Sequence, residues 1–150
     1  MANLVTQIKQ GLETSIETVF PTFKKLDYQW QVEKNSLERV DNSYAVLPLA
    51  ASTGSTRIIG HYTIDQTFQV VLGASYESDG DSDEELRNEL DILYTNMDDI
   101  LKDVYAQKLG LQNIVLLIDL GGYEDPEVNI ENKNVYLRMN LNIRYRRSVK

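Results

Sequence analysis

The sequence predicts an α+β domain in two layers, a mainly antiparallel sheet of about four to five strands with two helices packed on one face. Two stretches, Asn3 to Phe20 and Leu86 to Tyr105, place apolar residues at the steps of an amphipathic helix. Others alternate apolar and polar residues, most regularly Val135 to Tyr145. The order reads α, β, β, β, α, β, β, which favours hairpin connections over repeated parallel crossovers. A chain of 150 residues suits one domain spanning 1–150, and its 42% hydrophobic and 25% charged content is that of a folded globular chain.

In the first helix Leu4, Val5, Ile8, Leu12, Ile16, Val19 and Phe20 form the stripe, Asn3 is the cap, or Thr6 with a later start, and Pro21 is the stop. "FKKLDYQWQV" then puts Leu26, Tyr28, Trp30 and Val32 on one side of a strand. A polar stretch separates it from "YAVLPLAA", where Pro48 requires a sheet edge or a bulge. Residues 52–66 mix small polar residues with Ile58, Ile59, Tyr62 and Ile64, and read as a long excursion between strands. "TFQVVLGASY" is the next strand.

In "SDGDSDEELRNELDILY", Asp79, Asp81 and Asp83 alternate like the first ligands of a calcium loop. Counting from Asp79, however, the glycine and glutamate places of such a loop hold Glu84 and Leu90. The segment is better read as a helix start, with Ser82 and Glu85 as a capping box and carboxylates at the positive end of the dipole. That helix runs from Leu86 through Leu90, Leu93, Tyr94, Met97, Ile100, Leu101, Val104 and Tyr105, and Gly110 closes it.

"NIVLLIDL" contains an unbroken apolar run from Ile114 to Ile118, expected as a central strand covered on both faces. An acidic, turn-rich connection containing Gly121, Gly122 and Pro126 leads to the last strand. There Val135, Leu137, Met139, Leu141, Ile143 and Tyr145 alternate with Tyr136, Arg138, Asn140, Asn142, Arg144 and Arg146. Its length, beyond the usual five or six residues, predicts an end that extends past the sheet as a contact surface.

Chemistry is sparse. With no cysteine, thiolate nucleophiles and thiolate metal sites are excluded. His61 is the single histidine, without an evident partner, and reads as polar surface. "STGST" and "LGG" lack the residues of phosphate or dinucleotide loops. Most of the 23 acidic residues lie in the helix start, on polar helix faces and in the loops at 77–85 and 124–131, where solvation explains them. The expectation is therefore of no catalytic residue, no metal, no cofactor and no enzyme activity. No apolar run reaches the ~20 residues of a membrane span, and "MANLVTQIKQ" lacks signal-peptide order, so synthesis in the cytoplasm and no membrane partner are expected.

A net charge of −8 disfavours specific nucleic-acid binding. Against it stands a basic cluster at Arg144, Arg146, Arg147 and Lys150, read either as a contact to acidic loops of a neighbouring subunit or as a solvated strand end. Of nine tyrosines, Tyr28, Tyr76, Tyr94, Tyr105 and Tyr145 are expected in the core, and Tyr44, Tyr62, Tyr123 and Tyr136 at interfaces.

The helix "LVTQIKQGLETSIETVF", the strand "TFQVVLGASY" leading into "DEELRNELDILYTNMDDILKDVYA", and the terminal strand "NVYLRMNLNIRYRR" together resemble the tail-terminator, or tail-completion, proteins of long-tailed bacteriophages. The resemblance implies a structural virion protein, made in the host cytoplasm. It forms a hexameric ring on the tail tube, stops polymerisation and joins the tail to a head-completion or connector protein, while DNA transits the lumen without specific binding. The subunit-interface candidates are Arg57, Ile58, Ile59, Tyr62, Tyr136, Arg138, Arg144, Arg146 and Arg147. The alternatives are a head-completion or neck protein of the same particle, an assembly protein of a bacterial injection machine, and a small-molecule-binding or enzymatic α+β domain.

Overall fold

The structure, a computed structural model, describes residues 3–26, 42–58, 61–77, 82–111, 114–129 and 133–148; at 52–58, 61, 62, 82, 83, 108 and 148 the backbone alone is described. Among the described residues, two α-helices, α1 (Leu4–Val19) and α2 (Ser82–Gln107), pack on one face of a mixed, mostly antiparallel six-stranded sheet. The strands are β1 (Lys24–Lys25), β2 (Ser43–Ile58), β3 (His61–Ser75), β4 (Val115–Tyr123), β5 (Glu127–Asn129) and β6 (Asn134–Ser148). Their order is β1-β2-β3-β6-β4, with β5 also paired to β6. This is the expected α+β sandwich.

α1 begins as its sequence requires, with Asn3 Oδ1 accepting from Thr6 N at 2.8 Å. Ile8, Leu12 and Ile16 have no exposed surface and meet the sheet. Its buried Glu13 is held by Lys25 at 2.7 Å and Lys9 at 3.6 Å, which ties the helix to β1. β1 pairs parallel with Ser43 and Tyr44; the remainder of the strand expected up to Val32 lies outside the described residues.

β3 and β6 form the centre. Their register runs unbroken from Ser75 opposite Asn134 to His61 opposite Ser148. The helix-side face carries Phe68, Val70, Leu72, Val135, Leu137, Met139, Leu141 and Ile143, all fully buried. The period-two pattern of β6 thus translates directly into a core face, as alternation in a half-covered strand dictates.

Two parts of the sheet differ from expectation. The supposed excursion at 52–66 is strand on both arms of a hairpin, with Ser52 opposite Asp65, Thr53 opposite Ile64, Arg57 opposite Tyr62 and Ile58 opposite His61. Small polar residues look like a loop, but a strand beside a long template strand needs only backbone partners, which any residue but proline supplies. The ladder shifts register between Pro48 and Ala51, meeting the proline's requirement for a bulge.

The second difference is β4, an edge strand with the helices on one side and no strand beyond it among the described residues. Its alternation is broken by bulges. Val115 lies opposite Tyr145 and Leu117 opposite Arg144, so Leu116 is an extra residue; Gly121 is another, between Leu120 opposite Leu141 and Gly122 opposite Asn140. Two inward positions, Val115 and Ile118, therefore fall three residues apart, and the intervening leucines are apolar for another reason than burial.

α2 buries Leu93, Met97, Ile100, Leu101 and Val104, but Tyr105, expected in the core, is 44% exposed. Ser82, expected as the cap, is itself the first helical residue; Asp79 and Asp81 lie outside the described residues. The helix ends in a 3-10 turn, Lys108–Gly110, where Gly110 at φ 70 performs the expected closure. Leu109 shares the left-handed conformation at φ 58 while buried against α1.

A candidate assembly surface

Among the described residues, the sheet face opposite the helices is lined largely by polar side chains that bond to one another. Arg138, 7% exposed, donates from Nη1 to Gln69 Oε1 at 2.9 Å and from Nε to Glu127 Oε1 at 3.0 Å. Gln69 Nε2 donates in turn to Asn140 Oδ1 at 3.0 Å and to Glu124. Further along, Thr67 Oγ1 donates to Asn142 Oδ1 at 2.9 Å and Arg144 pairs with Asp65. At the other end Ala45, Val71 and Tyr136 form a small buried apolar cluster flanked by Leu26 and Leu47.

These contacts reassign several interface candidates. Tyr136 has no exposed surface, and Arg138 is consumed by Gln69 and Glu127, so neither is presented to a partner. Arg144 is exposed but bound within its own chain. Tyr44, too, is buried, its hydroxyl donating to Glu17. Tyr123 is half-buried on Tyr94, with ring centroids 5.1 Å apart, and burial followed by the nearby Asp98 raises its phenol above the usual range. The alternation that placed Tyr136 and Arg138 outward was correct about the face, but it carried no information on what covers that face.

What remains forms one place. β4 stops opposite Tyr145, so beyond it β2, β3 and β6 continue as a three-stranded ribbon. Arg57, Tyr62 and Arg147 stand in one cross-strand row of that ribbon, and Ile58, His61 and Ser148 in the next. Arg146 and Arg147 are exposed, and among the described residues neither makes an ion pair. Ile59 lies outside the described residues. Residues 52–64 contain no acid, and neither do residues 132–150.

A second surface escaped the sequence reading. Along β4, Leu116, Leu117 and Leu120 are 43%, 44% and 45% exposed. With Tyr105 at the end of α2, Leu116 and Leu117 line an open groove of about 250 Å³ floored by Val115 and Ile118. Exposed leucines on an unpaired edge invite association, and proteins ordinarily blunt such an edge with charge. Here the charge is of one sign. From residue 109 to 132 there are five acids, among them Asp119, Glu124, Asp125 and Glu127, and no lysine or arginine. The available signal was the unbroken apolar run itself, which is as compatible with a sticky edge as with a buried centre.

Among the described residues no group of three metal-ligating side chains occurs, and no helix is long and apolar enough to cross a membrane. Neither a known protein family nor a curated protein sequence matches the chain.

Proposed function

We propose that the chain is a structural subunit of a phage tail, a tail terminator. Copies of it associate into a hexameric ring that caps the tail tube, ends its growth and presents a docking face to the head connector. The observation that carries this reading is the pair of unlike, complementary surfaces on one open sheet, a basic ribbon end and an apolar, acidic edge. Unlike patches make heterologous contacts, which close into rings when the rotation between copies allows. The net charge of −8 agrees with a lumen that repels phosphate and lets DNA slide.

The test combines electron micrographs of the purified chain with a growth assay. Rings with a central hole are expected, and addition to polymerising tail-tube subunits stops elongation. A chain that stays monomeric and leaves elongation untouched refutes the reading.

A further inference from the structure

Resting on that reading, we infer that the edge strand β4 of one copy receives the β2–β3–β6 ribbon end of a second copy, Leu116, Leu117 and Tyr105 supplying the apolar seat and Asp119 and Asp125 meeting Arg146 and Arg147.

The occupant follows from charge and shape together. Along the open side of β6 the sign of the charge changes. Its end carries Arg144 and Arg146, with Arg147 beside them on the other face, whereas the connection from β4 to β5 and β5 itself bring Glu124, Asp125 and Glu127 to its other half. A molecule polarised in this way attracts another copy head to tail, and each contact leaves one surface of each kind unfilled for the next. Apolar residues also occur at the ribbon end, where the backbone register sets Ile58 opposite His61 and Tyr62 opposite Arg57.

Strand addition of one β4 to another is the obvious rival, because it too would bring basic ends to acidic ones. The bulges at Leu116 and Gly121 oppose it. They bend the edge and interrupt its row of backbone donors and acceptors at both ends of the leucine segment. What the edge offers is side chains and a groove. A side-chain contact of this kind combines a small desolvated apolar centre with a charged rim, the usual anatomy of a specific interface.

Three variants separate the possibilities, each first checked for an unchanged urea midpoint. Arg146→Glu with Arg147→Glu, and separately Asp119→Lys with Asp125→Lys, are each expected to raise the dissociation constant for self-association at least about tenfold in low salt. Mixing the two reversed proteins restores association to within about threefold of the unmodified chain, because the reversed charges then face each other again. Leu117→Asn weakens association at every salt concentration, since its contribution is apolar. Unaltered association in both charge-reversed proteins, or failure of the mixture to recover, overturns this contact while leaving ring formation intact; a complex that ends at two copies overturns the contact and the ring together. An unmodified chain that never self-associates overturns both.

Discussion

Arg144 and Asp65 face each other across the β3–β6 ladder and are joined by two hydrogen bonds, Nε to Oδ1 at 2.7 Å and Nη2 to Oδ2 at 3.3 Å. The pair is exposed on both sides, and Asp65, with Asp119 behind it, raises the guanidinium's pKa further. An arginine already bound in this geometry at home is a poor donor to a neighbour. Replacement of Arg144 by alanine is therefore expected to leave both the urea midpoint and the self-association constant nearly unchanged, in contrast to the reversal at Arg146 and Arg147. Sedimentation of the three proteins side by side makes the comparison.

Arg138 behaves differently because it is buried. Its alanine variant leaves Gln69 without its donor and Glu127 without its counter-charge. Glu127 is 46% exposed and regains water, so the loss is that of a buried hydrogen-bond network and not of a stranded ion. Arg138→Ala is expected to lower stability by about 1–3 kcal/mol in urea denaturation, while Arg138→Lys recovers part of it.

Tyr136 provides a pH test. Its hydroxyl is buried without a hydrogen-bond partner among the described residues, and burial, then Glu127, raise its pKa above 10.0 against the opposing effect of Arg138. Above the unfolded value the unfolded chain has released this proton and the folded chain has not, so the folded state binds more protons. Stability is thus fully present below pH 10 and falls as pH rises from there through the folded value. Tyr136→Phe removes this contribution, flattens the alkaline decline, and at neutral pH is neutral or slightly stabilising because an unsatisfied hydroxyl is gone. Tyr123, raised in the same direction, sustains the remaining slope.

Gly11 tests the close packing of α1. Alanine in a helix interior ordinarily gains about 1 kcal/mol over glycine. Here a Cβ would lie 2.8 Å from Leu109 Cβ and 3.0 Å from Leu109 O, in a turn already held at positive φ. Gly11→Ala is accordingly expected to destabilise by about 1–3 kcal/mol, the cost of overpacking, as read from thermal or urea unfolding.

The parts of the fold legible in the sequence are those where one physical requirement dominates. Burial on one side produced the stripe of α1, the stripe of α2 and the alternation of β6; a missing donor at Pro48 produced the bulge. The parts misread are those where two requirements write the same letters. Leu116 and Leu117 are apolar at an exposed edge, as they would be in a buried strand. Ser52 and Thr53 are small and polar in a paired strand, as they would be in a loop. Tyr136 and Arg138 alternate outward correctly, but their burial depends on Gln69, Glu127 and the cluster around Val71, which are distant in sequence. The basic ribbon end was readable because charge segregation survives without knowledge of the fold, whereas the leucine edge opposite to it in character required the strand order.

The most direct measurement is the molar mass of the unmodified chain by sedimentation equilibrium at low salt, over rising protein concentration. For a ring closed by head-to-tail contacts, the mass climbs from the monomer's 17.2 kDa to a plateau at a single closed species larger than a dimer. A mass that remains at 17.2 kDa throughout, or one that grows without reaching a plateau, contradicts it.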